Sequence, residues 1–97
     1  MIVNRRTFVV KRGCEEDLVA LFRAERERLN IPITFRVYTP IIAPFDFVAA
    51  EWEFGSLEDY DKFWTDWSAR PETAEFMEKW YKLTENGGTN EIWNLEA

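Results

Sequence analysis

The 97-residue chain contains no histidine. A Ser-His-Asp set and histidine-based zinc spacing are thereby ruled out, and no Gly-rich phosphate loop stands in their place. Cysteine occurs once, as Cys14, so no internal disulfide can form, which fits a reducing compartment. No apolar run approaches the ~20 residues needed to cross a bilayer. The opening MIVNRRTFVVKR lacks the apolar core of a signal peptide. The chain therefore reads as a soluble, cytoplasmic protein with no membrane partner. Basic residues are the minority, 12 Lys/Arg against 18 Asp/Glu, for a net charge of −6. Arg23, Arg26 and Arg28 are interleaved with Glu25 and Glu27, and Arg5, Arg6, Lys11 and Arg12 divide between two faces of a strand. With no basic stripe, a phosphate backbone or anionic lipid would be repelled, so nucleic acid is not an expected partner.

What is present suits a single small domain spanning residues 1–97. Hydrophobic residues make up 46% and charged residues 31%, which excludes collagen-like, low-complexity and wholly disordered readings. A chain this short has a thin core, and a partner subunit would help it.

Residues 2–12 are rich in β-branched and aromatic side chains and read as a strand. After Gly13, the acids Glu15, Glu16 and Asp17 sit where a helix dipole favours negative charge. Leu18, Leu21, Phe22 and Leu29 then recur at helical spacing, which predicts a helix over 15–29 ended by Asn30 to Pro32. Residues 33–39 and 46–54 alternate and form an antiparallel hairpin around the proline-bearing loop 40–45. Ser56 and Asp59 make a capping-box variant. Leu57, Tyr60, Phe63, Trp64 and Trp67 follow as an apolar helical stripe. Pro71 interrupts it, and a further helical segment can begin there. Asn86-Gly87-Gly88 stops that segment, and 89–95 read as a last strand. The order is β-α-β-β-α-β, an α+β, ferredoxin-like arrangement with helices on one face of a four-stranded antiparallel sheet.

A hairpin loop centred between Ile42 and Ala43 sets Arg36 opposite Ala49, with Phe47 and Glu51 diagonal to it, and Thr34 opposite Glu51. Polar side chains of both strands then share one sheet face and apolar ones the other, as burial would enforce. The polar set is Thr34, Arg36, Tyr38, Phe47, Glu51 and Glu53. Read functionally, Arg36 holds an anionic or carbonyl group, Tyr38 donates, and Glu51 or Glu53 serves as base. Read structurally, the same groups are an ion-pair network on a dimer interface. Trp64 and Trp67 are the tryptophans best placed to line an aromatic cavity. Cys14 has no histidine to activate it and three acids just after it. Glu51 and Glu53 alone do not make a metal site. Ile41, Ile42 and Phe45 in the hairpin loop would mark a partner or a gate.

Three stretches resemble the dimeric α/β-barrel superfamily, and within it the NIPSNAP-like small proteins. They are RRTFVVKRGCEEDLVALF, AAEWEFGSLEDYDKFW and WSARPETAEFMEKW. The resemblance implies a homodimer in which two sheets meet face to face. The superfamily includes cofactor-independent and haem-degrading monooxygenases that use an Asn on the first strand, a Trp on the second helix and a His. Asn4 and Trp64 or Trp67 match in place, but the missing histidine excludes a histidine-ligated haem. The expectation is therefore a cofactor-free homodimer that binds a small apolar or aromatic molecule between sheet and helices, through Arg36, Tyr38, Phe47, Glu51, Glu53, Trp64 and Trp67. The alternatives are a monooxygenase or isomerase with Arg36, Tyr38 and Glu51 as acid–base groups, and a structural dimer without ligand.

Overall fold

The computed structural model describes residues 1–97. Four strands and three helices follow one another as β1 (Ile2–Val9), α1 (Glu15–Leu29), β2 (Phe35–Tyr38), β3 (Phe47–Phe54), α2 (Leu57–Ala69), α3 (Thr73–Leu83) and β4 (Thr89–Asn94). The sheet runs β2-β3-β1-β4 and every pairing is antiparallel. This is the expected α+β, ferredoxin-like topology.

Local chemistry accounts for the element ends. α1 begins with its three acids and ends at Asn30, whose left-handed backbone (φ 45°) lets its N–H donate to Arg26 O. Ser56 Oγ accepts from Asp59 N and starts α2. α2 stops at Ala69 because Arg70 precedes Pro71 and takes an extended backbone. Pro71 itself lies in the turn rather than opening the next helix, and α3 starts two residues later. Thr73 anchors that corner, its Oγ1 donating to Trp67 O at 2.5 Å.

All three helices cover one sheet face. Ile2, Val10, Val48, Ala50, Trp52 and Phe54 meet Leu18 and Phe22 of α1 and Phe76 of α3 in the buried core. The opposite face is bare, and Arg36, Tyr38, Glu91 and Trp93 are exposed on it.

The hairpin register differs by two residues from the symmetric-loop reading. Arg36 pairs with Glu51, not Ala49, and Tyr38 pairs with Ala49. A shift of two preserves the face of every side chain, so the sorting into polar and apolar sides holds. The loop is asymmetric: Phe47 and Val48 pair only with β1, while β2 ends at Tyr38 before Pro40. Its far end is tied down by Val10 N donating to Asp46 O (2.7 Å) and Arg12 bonding the Asp46 carboxylate (2.9 Å). Ile41, Ile42 and Phe45 stand out from it almost fully exposed.

At the other end of the sheet, Leu95 N donates to Met1 O at 3.1 Å, so the stretch after β4 lies beside the start of β1. Gly88 (φ 95°) brings the chain into β4 so close to β1 that a Cβ there would collide with Thr7 O.

Candidate functional site

Between the helices and the covered sheet face lies a cavity of about 240 Å³, lined by sixteen residues of which thirteen are hydrophobic. Helical spacing builds one wall: Phe63, Trp64 and Trp67 from α2, and Phe76, Met77 and Trp80 from α3. Strand alternation builds the floor from Arg6, Phe8, Phe35 and Trp52. Phe22, Glu25, Arg26 and Leu29 of α1, with Ile31 and Ile33 of the following loop, close the side. A more open hollow of about 450 Å³ shares Leu29, Ile31, Ile33, Phe63 and Trp67 with it and is also lined by Thr34 and Glu53.

Four of the five tryptophans thus face one space. Their rings meet edge to face, as ring quadrupoles favour: Trp52–Trp64 at 5.2 Å, Trp64–Trp67 at 5.6 Å and Phe8–Trp80 at 4.5 Å. Trp64 Nε1 is buried with no hydrogen-bond partner.

The charged lining is Arg6, Glu25 and Arg26. Glu25 is buried and fully engaged. It accepts from Trp67 Nε1 (2.8 Å), Arg28 Nε (2.7 Å) and Arg28 Nη2 (2.5 Å). Arg26 donates to Phe35 O at 3.0 Å. Arg6 differs. Its guanidinium lies over the Trp64 ring, 4.1 Å from the centroid, and 5.7 Å from that of Trp52. Its Nε donates to Asn4 Oδ1 at 3.1 Å. Asn4, wholly buried, is clamped in turn through Nδ2 to Asn90 Oδ1 (2.7 Å) and Glu91 O (2.9 Å).

The residues singled out from the sequence do not form one site. Trp64 and Trp67 line the cavity. Arg36, Tyr38, Phe47, Glu51 and Glu53 lie on the bare sheet face and none of them lines the aromatic cavity, although Glu53, at the sheet end, lines the adjoining open hollow. There they are mutually satisfied. Arg36 bonds Glu53 at 2.5 Å, Tyr38 donates to Glu51 at 3.0 Å, and Arg5 approaches Glu51 at 3.6 Å. The hydrogen bond and charge of Glu53 hold the Arg36 guanidinium above its ordinary value. Partial desolvation, then the bond to Glu51, pushes the Tyr38 phenol up, which opposes its use as a proton donor near neutrality. Asn4 does not reach the cavity and instead positions Arg6. Cys14 is half-buried at the start of α1 without a side-chain capping bond.

The sequence left Arg6 open: either Arg5 and Thr7 or Asn4 and Arg6 could join the polar hairpin face, and the structure puts Arg5 and Thr7 there and Arg6 on the cavity side. Both alternations of β1 contain apolar side chains, Ile2, Phe8 and Val10 against Val3 and Val9, so parity did not choose a face. The bulk of Phe8 was the available signal.

No protein-family model and no curated protein matches the sequence. Solved structures do match. A NIPSNAP domain protein from Burkholderia xenovorans superposes with a TM-score of 0.85 at 15% identity, covering 100% of this chain and 96% of that one. This chain shares that protein's fold. A NIPSNAP family protein of unknown function from Agrobacterium tumefaciens agrees, with a TM-score of 0.81 at 22% identity, covering 96% of this chain and 86% of its own. An antibiotic biosynthesis monooxygenase is also similar, with a TM-score of 0.72 at 12% identity and full coverage of both chains. Identities this low carry the shared ferredoxin-like fold and not an activity.

Proposed function

We propose that this NIPSNAP-type chain binds a small apolar or aromatic molecule in the cavity between sheet and helices. The observation that carries the reading is the cavity itself, walled by four tryptophans and five phenylalanines. Its 240 Å³ lies between the ~150 Å³ that holds a benzene and the ~300 Å³ where drug-sized pockets begin. One ring or two fused rings would fit.

The second part of the proposal is a homodimer in which two bare sheet faces cover one another. Val3, Val9, Phe47 and Ala49 alternate there with the Arg36–Glu53 and Tyr38–Glu51 pairs, and Trp93 is 59% exposed beside them. On this reading the polar set is an interface network and the ligand lies on the other side of the sheet.

The test is a panel of one- and two-ring aromatics followed by tryptophan fluorescence and thermal shift. Saturable quenching that is lost in Trp67→Ala and Met77→Trp supports binding. A panel without response leaves the ligand-free structural dimer. Consumption of a bound probe would instead favour the monooxygenase or isomerase reading, the first of which has a namesake among the fold neighbours. Light scattering tests the dimer: the expected mass is twice 11.6 kDa, and Ala49→Arg on the bare face should halve it.

A further inference from the structure

We infer that the molecule this cavity takes is an anion: an aromatic ring system bearing one acidic oxygen group, such as a carboxylate, that pairs with Arg6. The inference rests on the binding reading above and adds the chemical class of the ligand.

A guanidinium carries five N–H groups in a planar fork. Only the Nε–H of Arg6 is used, on Asn4; the other four donate to no protein atom. No carboxylate lies within ion-pair distance of Arg6, although the chain is acidic overall. The one acid on the lining, Glu25, has both oxygens occupied by Trp67 and Arg28. The lining therefore holds two arginines against one neutralised carboxylate. A lone anion placed among aromatic rings would be expelled by its desolvation cost. Beside Arg6 it gains a bidentate, charge-assisted partner instead.

The geometry is also preorganised. Trp64 supports the flat face of the guanidinium, and the Asn4–Asn90 clamp fixes its Nε edge from within the sheet. The open edge has no other occupant. A side chain that served only to cap Trp64 would not need a buried asparagine, itself held by two bonds, to orient it. Size and charge agree: the ring system fills the aromatic space and its acidic group reaches the floor at β1.

The experiment compares 1-naphthoate with its neutral near-isostere 1-naphthamide, by calorimetry on the full chain at neutral pH. The expected result is a preference of about 10- to 100-fold for the anion, the difference a charge-assisted bond makes. Arg6→Gln should bind the two within about threefold of each other. Arg6→Lys, which keeps the charge, should restore part of the preference. Equal binding of both probes by the native chain overturns the anion inference and leaves the cavity reading standing. A preference that survives in Arg6→Gln also overturns it. Binding of neither probe overturns both. The native-chain comparison decides the matter even if the Arg6 variants fold poorly.

Discussion

Glu25 and Trp67 join α1 to α2 through one buried hydrogen bond, and its strength can be measured by a double-mutant cycle. Glu25 is 8% exposed and accepts three donors. Replacing it by alanine strands the Trp67 N–H, a loss of about 1–3 kcal/mol for an unsatisfied buried donor. It also breaks the Arg28 pair. That side chain is one-third exposed and keeps Glu72 at 3.5 Å, so solvent and the second acid limit this part to about 1 kcal/mol. Glu25→Ala should therefore destabilise by about 3 kcal/mol, or about 12–24 °C in Tm for a chain of this size. Trp67→Phe removes the donor while the carboxylate keeps Arg28, and should lose about 2 kcal/mol. In the double variant no donor is left stranded, so the two losses should overlap by about 1.5 kcal/mol. Urea unfolding of the four proteins, followed by circular dichroism at one fixed protein concentration, reads all the terms. Additivity within about 0.5 kcal/mol would show that the bond contributes nothing specific, and a Glu25→Ala loss below about 1 kcal/mol would refute the burial argument.

Three further outcomes are expected. Gly88→Ala should destabilise by about 3 kcal/mol or abolish folding, because its Cβ would meet the Thr7 carbonyl as well as a positive φ; Gly13→Ala, with φ 84° and nothing within 4 Å, should lose only about 1 kcal/mol, and urea midpoints compare them. Trp64→Phe should change stability by less than about 1 kcal/mol, since removing the orphaned Nε1–H offsets the smaller ring; a loss above about 3 kcal/mol in the same assay contradicts this. The raised Tyr38 phenol stabilises the fold fully below the free phenol value near 10, and that contribution disappears as pH rises through the folded pKa. Melting curves from pH 8 to 11.5 should show a loss above about pH 10 that Tyr38→Phe reduces.

Much of the architecture was legible because several weak signals coincided. At α1 the acidic first turn, the Leu18–Phe22 spacing and the Asn30–Pro32 stop all point to Glu15–Leu29. The hairpin faces were legible because Val48, Ala50, Trp52 and Phe54 alternate cleanly against Glu51 and Glu53. Its register was not, since Thr39 to Asp46 offers no turn signature, and the tie from Asp46 to Val10 and Arg12 is a contact 34 or more residues away in sequence. The cavity was anticipated in two of its tryptophans, Trp64 and Trp67, and its charge was left undecided between the two faces of β1. Arg5 and Arg6 are neighbours of the same type, and only pairing with β3 and β4 sends the first to the bare face and the second to the rings. Polar residues on a strand looked like the chemistry of this chain; the sheet places most of them where they satisfy one another.

The hydrogen bond from Leu95 to Met1 has a practical consequence. Where β1 begins and where β4 has ended are so near that a few glycines could bridge them without disturbing either strand. The polypeptide could then be cut open elsewhere, in the projecting Ile41–Phe45 tip, and still trace the same sheet. Such a circularly permuted form would bring β3 and β1 into sequence order β3-α2-α3-β4-β1-α1-β2. Its refolding would reveal whether the split β-α-β connection has to be made in its native order.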